Sequence, residues 1–295
     1  MKVILSRKGF DTGSGGCPSP IFPDGAMLSL PIPDGNSKVR YRNLTWNGRN
    51  LGDLLSRLAG AKAEAGDGAH LDPDLRADAL PRMPGWRPIF GQRGAARGHI
   101  RKQGVREGDI FLFFGLFRDV REDGTFAPRS PARHVIWGWM EIGEILPVDG
   151  NRQRLGWAGD HPHLTRGVDR TSFVYLAADR LYLPGERSRR LPGAGVFSCF
   201  APALQLTATG SGGSSTWRLP AWFHPGGRRS ALSYHRDPTR WNRDGETVLL
   251  QTVGRGQEFV IDGDDYPEVV SWIAHLGVGV SHPPASAPPK LRRTI

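Results

Sequence analysis

The chain contains little cysteine and no long hydrophobic run, and each absence excludes a class of protein. Only Cys17 and Cys199 are cysteines, which leaves no disulfide framework and no cysteine-ligated zinc cluster. The run IFLFFGLF at residues 110–117 is much shorter than a membrane span, and the apolar stretch in MKVILSRKGFD is too short for the core of a signal peptide. The sequence therefore predicts a cytoplasmic protein without a membrane segment.

Acidic residues are outnumbered by basic ones. The chain has 29 Asp and Glu against 39 Lys and Arg, a formal net charge of +10. Most of the basic residues are arginine, whose planar guanidinium makes bidentate contacts with phosphates and bases, so DNA or a nucleotide is the favoured partner. Arginine enrichment beside abundant glycine, alanine and proline can also reflect a coding bias, and both interpretations stay open.

Glycine and proline are abundant, with 39 and 24 residues, and predict an unusually loop-rich fold. We predict an α+β fold, predominantly β, with a mixed or antiparallel sheet or a partly open barrel, a few helices and long Gly/Pro-rich loops. Strands are predicted at 3–6, 108–120, 133–146, 171–183, 246–253 and 258–262, and helices at 50–65 and 266–276.

One domain is predicted over residues 1–280, followed at 281–295 by a disordered, basic, proline-rich tail. Within the domain, FGQRGAARGHI at 90–100 is rich in glycine and arginine. This stretch predicts either a phosphate-binding loop or a solvated basic turn.

The opening segment, residues 5–34, is dense in glycine and proline. Gly15 and Gly16 permit close approaches that a side chain would forbid, so they are candidate substrate-binding residues. Apolar residues between the glycines and prolines indicate that the segment packs against the body of the protein. It is either a loop that forms part of a site or a structural wrap.

Polar residues cluster where the first predicted strand ends. Ser6, Arg7 and Lys8 are candidate substrate-binding residues, because two cations beside flexible backbone amides can hold a phosphate. Asp11 is a candidate catalytic residue that orients a sugar or acts as a base. Charged residues are also common at exposed strand ends, and that interpretation stays open.

A second polar cluster opens the last predicted strand, in GRGQEFVID at 254–262. Glu258 is a candidate catalytic residue, acting as a general base or stabilising a developing positive charge, and Gln257 is a candidate for binding substrate. A structural cap is the alternative role for Glu258.

Two histidines, His161 and His163, form an H-x-H motif in DHPHLT. On a strand they would share a face, as metal ligands must. No third ligand lies nearby in the sequence with a diagnostic spacing, so no metal is assigned. The favoured interpretation is a loop with solvated histidines, with phosphate contacts and metal binding as alternatives.

The segment from 217 to 241 interleaves aromatic residues with arginines, as proteins that bind single strands or flipped bases do. The candidate nucleic-acid-binding residues are Arg218, Trp222, Arg228, Arg229, Tyr234, His235 and Arg236. The alternative is that the aromatics belong to the core and the arginines cover them with their aliphatic stems.

Several stretches together resemble a bacterial and phage family, the nucleotide modification associated domain of the third type. They span nearly the whole chain and read SRKGFDTGSGG, PSPIFPDG, LSLPIP, GQRGAARGH, FLFFGLFR, WRLPAWF and GRGQEFV. The resemblance implies an association with DNA-base modification in phage or mobile-element conflict. It supplies neither a reaction nor a list of catalytic residues.

Two partial likenesses suggest alternatives. The strand after Gly108-Asp109 and the stretch GWMEIGEI are similar to small β-barrels of the PUA and ASCH type, which bind RNA or modified bases. Glu258 resembles the strand glutamate of ADP-ribosyltransferases, with Arg7 where those enzymes keep an NAD-binding residue. The position two residues before that glutamate is Gly256, which departs from the ADP-ribosyltransferase pattern.

Taken together, these features predict an enzyme of DNA modification, a transferase acting on a base or nucleotide, with its cofactor unknown. A non-catalytic reader of modified bases and an NAD-using enzyme are the alternatives, and a structural subunit of a modification complex is a third class. Other proteins of a modification system are candidate partners.

Overall fold

A computed structural model describes residues 1–58, 60–185, 191–254, 256 and 258–277. Gln257 and the tail at 281–295 lie outside the described residues, so their predicted roles stay predictions. No helix in the described part of the chain has both the length and the apolar character needed to cross a membrane.

Most of the regular structure is strand. The strands are β1 (Lys2–Arg7), β2 (Ser19–Ile21), β3 (Ile32–Pro33), β4 (Thr45–Trp46), β5 (Arg49–Asn50), β6 (Ala69–His70), β7 (Ile89–Gln92), β8 (Ile110–Asp119), β9 (Arg133–Pro147), β10 (Phe173–Ala177), β11 (Ala194–Val196), β12 (Thr216–Pro220), β13 (Trp241–Asp244), β14 (Thr247–Gln251) and β15 (Glu258–Asp262). The α-helices are α1 (Leu51–Leu55), α2 (Gly94–Lys102), α3 (Pro162–Thr165) and α4 (Glu268–His275). Short 3₁₀ helices cover Tyr41–Asn43, Gly156–Ala158, Pro202–Leu204, Ala221–Phe223 and Pro238–Arg240.

The largest sheet runs in the order β15-β1-β8-β9-β10-β7, with β2 beside β8 and β11 beside β9. It is mixed, because β1 and β2 run parallel to β8 while β15, β9, β10, β7 and β11 pair antiparallel with their neighbours. The sheet does not close into a barrel. The prediction of an α+β fold, mainly β, with a mixed sheet and few helices is confirmed.

The centre of this sheet is the antiparallel pair β8 and β9. Their sequences are nearly continuous apolar runs, typical of strands that are buried on both faces. From Ile110 to Phe117 every residue of β8 is buried. The prediction of paired antiparallel strands at 108–120 and 133–146 is confirmed.

The opening segment wraps onto a second, smaller core. Phe10, Phe22 and Leu30 are buried there together with the leucines of α1. Asn50 caps α1 by accepting hydrogen bonds from the amides of Gly52 and Asp53. The helix is shorter than predicted, because residues 56–58 form turns instead of continuing it.

The stretch 90–100, for which a solvated basic turn was one of two interpretations, contains most of helix α2. Only Ile100 of its nine residues is buried, so the apolar periodicity that reveals most helices is missing. The interpretation as a turn was wrong for this reason. The helix presents a row of basic residues near the end of β7.

Candidate functional site

The two edge strands of the large sheet, β7 and β15, approach each other at one end. The side-chain amide of Gln92, at the end of β7, donates a hydrogen bond to Glu258 Oε1, at the start of β15. Beside this contact lies a cavity of about 470 Å³. We call it the central cavity; its polar lining residues are Arg7, Lys8, Asp11, Ser14, Asp34, His70, Asp72, Gln92, Arg93, His163 and Arg166.

Four cations line the central cavity: Arg7, Lys8, Arg93 and Arg166. Arg166 is anchored by Asp34, whose Oδ2 accepts from Arg166 Nη2 at 2.8 Å. Arg93 is about half exposed, and its Nη1 lies 3.8 Å from Oδ2 of Asp169, in the loop between α3 and β10. Arg7 forms no ion pair with any residue in the described ranges, so its charge is open to a ligand.

Lys8 is held by a buried carboxylate. Its Nζ lies 2.9 Å from Glu258 Oε1 and 5.0 Å from the centre of the Phe90 ring. The side chain of Glu258 is only 1% exposed and does not line the central cavity. The geometry therefore gives Glu258 a positioning role toward Lys8 rather than direct access to a bound molecule.

A cluster of two imidazoles and a carboxylate lies in the wall of the central cavity, and its side chains are between 4% and 17% exposed. His70 ends β6, Asp72 follows two residues later, and His163 lies in α3. Asp72 Oδ2 is 3.7 Å from His70 Nε2 and 3.5 Å from His163 Nε2. We call these three residues the histidine cluster; their donor atoms all lie within 4.8 Å of one another, close enough to hold a metal ion.

Each member of the histidine cluster has a second partner. His70 Nδ1 lies 2.8 Å from Asp34 Oδ2, because β3 and β6 pair and bring the two residues together. His163 Nδ1 lies 2.9 Å from Ser172 Oγ. Asp72 Oδ1 accepts from the amide of Gly91 at 2.8 Å. The ring nitrogens Nε2 of both histidines therefore face the same carboxylate.

His161 packs behind the cluster. The prediction of solvated histidines in H-x-H was wrong, because His161 and His163 are only 5% and 7% exposed. Pro162 starts the short helix α3, and His161 Nδ1 accepts from the amide of His163 at its first turn. His161 Nε2 has no hydrogen-bond partner among the described residues and lies 3.2 Å from Asp72 Oδ1.

Burial and charge compete in the cluster. Burial disfavours the ionised form of Asp72, yet the imidazoles of His161, His163 and His70 hold the pKa of that carboxyl well below its usual range. Burial by itself acts to lower the pKa of both histidines of the cluster. For His70 the neighbouring carboxylates Asp72 and Asp34 outweigh burial and raise the pKa, whereas for His163 burial prevails and the pKa is lowered.

The carboxyl of Asp34, which also lines the cavity, is held ionised by its neighbours. Burial raises its pKa, but hydrogen bonds from His70, from the amide of Asn36 and from Arg166 outweigh this and lower the pKa to about 2. The anion is therefore fixed at all ordinary pH values. It orients His70 and Arg166 at the same time.

The residues predicted from the opening segment separate into two groups. Arg7, Lys8 and Asp11 line the central cavity, and Asp11 Oδ1 accepts from the amides of Gly13 and Ser14. Ser6 is fully buried in β1 and does not line it.

Gly15 and Gly16 do not line the cavity either. A Cβ at Gly15 would lie 2.4 Å from the Phe10 ring, and one at Gly16 would lie 2.3 Å from the carbonyl oxygen of Gly60. Both have positive φ. Packing thus accounts for these two glycines, and the segment behaves as a wrap at this point.

A second cavity, of about 530 Å³, lies beside the other end of α2. Arg229, Tyr234 and Arg236 line it together with His99 and Lys102 of α2. The Tyr234 ring is exposed and stacks on His99 with ring centres 4.2 Å apart. Tyr234 also has φ +70°, a conformation that a bulky residue rarely adopts.

The other residues predicted to bind nucleic acid lie elsewhere. Arg228 stacks on Tyr266, Arg218 pairs with Asp244, and Trp222 is half-buried beside Phe223. None of these lines the central or the second cavity.

His235 is fully buried. Its Nδ1 donates to the carbonyl of Ser233 at 3.0 Å and its Nε2 accepts from the amide of Val253 at 3.2 Å. Because backbone groups occupy both ring nitrogens, His235 has no ring nitrogen left for a nucleic acid.

Sequence reasoning assigned no role to several of the cavity's polar residues. These are Ser14, Asp34, His70, Asp72 and Arg166, whereas Gln92 and Arg93 were named only as part of the stretch 90–100. One signal was present: H-x-D at 70–72 and H-x-H at 161–163 are both short polar motifs beside prolines, and the two together supply the histidine cluster. Their large separation along the chain hid the connection.

Comparison with known proteins gave one match. The family model described as Nucleotide modification associated domain 3 matches residues 2–262. Searches of curated proteins and of solved structures found no match.

Proposed function

Because the chain belongs to the nucleotide modification associated domain 3 family, we propose that it is an enzyme that modifies a nucleobase or nucleotide, with the central cavity as its active site. One observation carries the proposal: a single cavity unites four cations with a buried cluster of imidazoles and a carboxylate. Its volume of about 470 Å³ lies in the usual range of small-molecule sites.

The cations supply the binding of phosphate. Arg7 ends β1 without an ion pair in the described ranges, and Arg93 is half exposed beside the start of α2. Arginine suits phosphate because its guanidinium donates two parallel hydrogen bonds. Lys8, held by Glu258, adds a fixed point charge.

The reaction class we propose is group transfer. With phosphate held by Arg7 and Lys8, the base or sugar extends toward the histidine cluster, and Asp11 orients it. Glu258 acts as a positioning residue, because it contacts Lys8 and not the cavity.

The substrate we propose is a nucleotide within DNA. The second cavity shares α2 with the central cavity, since Arg93 and Ala96 line one while His99 and Lys102 line the other. A strand that stacks a base on Tyr234 and places phosphates on Arg229 and Arg236 would continue along α2 toward Arg93. Strained residues such as Tyr234 concentrate at functional sites.

A non-catalytic reader of modified bases is the second candidate. The exposed stack of Tyr234 on His99 favours it, because aromatic faces bind unstacked bases without chemistry. In that case the second cavity would be the binding site and the central cavity would serve no substrate.

Mass spectrometry of nucleosides tests the enzyme. DNA from cells that express the protein is hydrolysed, and we expect a nucleoside of altered mass that is absent from cells without the protein. Arg7→Gln should lower its amount at least tenfold, because a phosphate contact is lost while no ion pair of the described fold is broken. Arg121→Gln, an exposed arginine of the β8–β9 connection, is the matched control.

The outcomes separate the candidates. An altered nucleoside that depends on Arg7 and not on Arg121 supports the enzyme. No altered nucleoside in DNA, RNA or the nucleotide pool, together with DNA binding that Tyr234→Ala abolishes, would favour the reader and overturn the proposal.

A further inference from the structure

The histidine cluster has the donors of a metal centre. We propose that His70 Nε2, His163 Nε2 and Asp72 Oδ2 bind one divalent first-row transition-metal ion, such as Zn²⁺ or Fe²⁺. Two imidazoles and one carboxylate suit these ions, whereas Mg²⁺ and Ca²⁺ prefer oxygen ligands alone. The proposal stands on the geometry of the cluster and does not depend on nucleotide chemistry.

Two of the three separations between the donors favour an ion among them. Three ligands at about 2.1 Å from a tetrahedral centre lie about 3.4 Å from one another. The carboxylate oxygen lies 3.5 Å and 3.7 Å from the two imidazole nitrogens. Both distances are too long for hydrogen bonds and close to the separation that a shared metal requires.

The neighbours of the cluster orient all three donors. A histidine that binds a metal usually donates its other N–H to a carboxylate or another acceptor, which fixes the tautomer. His70 Nδ1 has Asp34 at 2.8 Å and His163 Nδ1 has Ser172 at 2.9 Å, so each ring can present the lone pair of Nε2. The amide of Gly91 holds Asp72 Oδ1 and leaves Oδ2 for the ion.

His161 supplies a second, independent observation. Its side chain is 1% exposed, and its Nε2 has no hydrogen-bond partner in the described part of the chain. Its Nδ1 accepts from the amide of His163, and its Nε2 lies 3.2 Å from Asp72 Oδ1. Because this nitrogen lies against the ligand Asp72, we assign His161 as a positioning residue through that contact.

The site is open on one side. All three ligands line the central cavity, so further coordination positions face the space where Arg7 and Lys8 lie. Metal sites with three protein ligands and an open position are typical of catalysis, and closed sites with four are typical of structure. An ion here would be accessible to water or to an anionic ligand.

Direct binding to the full chain tests the proposal. The protein is stripped with a chelator and titrated with Zn²⁺ by calorimetry, and Co²⁺ is added to a second sample for visible absorption. We expect saturation at one ion per chain, no binding of Mg²⁺ at the same concentrations, and Co²⁺ bands of a site with nitrogen and oxygen ligands but no sulfur.

Variants locate the ion. His163→Gln and Asp72→Asn should each weaken Zn²⁺ binding at least 100-fold, and His161→Gln about tenfold, the range typical of loss of an orienting residue. His224→Gln, far from the cluster in the sequence and outside the cavity, should change nothing. Circular dichroism of each stripped variant checks that it folds.

Two results would overturn the proposal. One is no saturable Zn²⁺ or Co²⁺ binding by the wild-type chain, a measurement that needs no variant. The other is wild-type affinity in folded His163→Gln or Asp72→Asn, which would place the ion elsewhere. Neither result bears on whether a nucleoside of altered mass is made.

Discussion

The central cavity and the segment from Trp217 to Trp241 contain the same kinds of residue and use them differently. In the segment, Trp217 and Trp241 are buried and His235 bonds backbone groups through both ring nitrogens. In the cavity, His70 and His163 each keep one nitrogen facing Asp72. Composition alone cannot separate the two regions, whereas the partner of each polar atom can.

The largest effect is expected at the charge pair that supports the cavity. Glu258→Gln keeps the shape of the side chain but leaves Lys8, whose side chain is 11% exposed, without its counter-charge. Breaking a buried ion pair by removing one partner costs about 3 kcal/mol or more of the free energy of unfolding. Urea unfolding of the variant and the wild type measures this difference in the free energy of unfolding.

The double variant is the control for this prediction. Lys8→Met with Glu258→Gln removes both charges, so it should cost less than the two single variants together. A Glu258→Gln variant as stable as the wild type would show that the pair does not support the cavity.

The next prediction concerns two histidines, His235 of the segment and His134 of β9, which contacts the segment through Trp217. Burial, reinforced for His235 by nearby Arg240, lowers the pKa of His235 to about 4, and burial does the same for His134, which accepts from Trp217 Nε1. In the unfolded chain a histidine titrates near pH 6.5, so as the pH falls from 6.5 toward 4 the unfolded state takes up protons first. Each histidine should therefore cost up to about 3 kcal/mol of stability by pH 4.

Urea unfolding between pH 7.5 and 4 measures this decline. His235→Gln should be less stable at pH 7 and should lose less stability on acidification than the wild type. A wild-type stability that is flat between pH 6.5 and 4 would contradict the prediction.

The sequence predicts the sheet better than the cavity. Strands β8 and β9 are long apolar runs, so their existence and pairing follow from local pattern. Arg7 and Lys8 were predicted because they end a recognisable strand. What brings them to Asp72 is the contact between Gln92 and Glu258 together with the hydrogen bond from the amide of Gly91 to Asp72, which no local pattern encodes.

The histidine cluster shows the same limit. His70 ends the two-residue strand β6, Asp72 lies in the loop after it, and His163 follows a proline that starts a helix of one turn. Long-range pairing decides that they meet. The same limit applies to Gly15, which was predicted to bind a substrate. A glycine with positive φ looks the same in the sequence whether a ligand or a phenylalanine ring fills the space beside it.

The next prediction, with a smaller expected loss of stability, concerns Gly15. Gly15→Ala places a Cβ 2.4 Å from the ring of buried Phe10 at φ +101°, and should cost about 2 kcal/mol through clash and strain together. Gly25→Ala has φ +82° and open space around its Cβ, so it reports strain alone, about 1 kcal/mol. Equal losses in urea unfolding would show that Phe10 yields freely and would remove the packing explanation.

The smallest effect separates the exposed arginines of the segment. Arg236 lines the second cavity without an ion pair in the described ranges, whereas Arg218 lies away from it and pairs with Asp244. If a DNA strand crosses the second cavity, Arg236→Gln removes one phosphate contact and lowers the slope of log affinity against log salt by about 0.7 for a single strand. Arg218→Gln, equally conservative, should leave the slope unchanged. Salt titrations by fluorescence anisotropy measure both slopes. An equal fall in the slope for Arg218→Gln would mean that the nucleic-acid surface extends beyond α2, and that the second cavity does not define this surface.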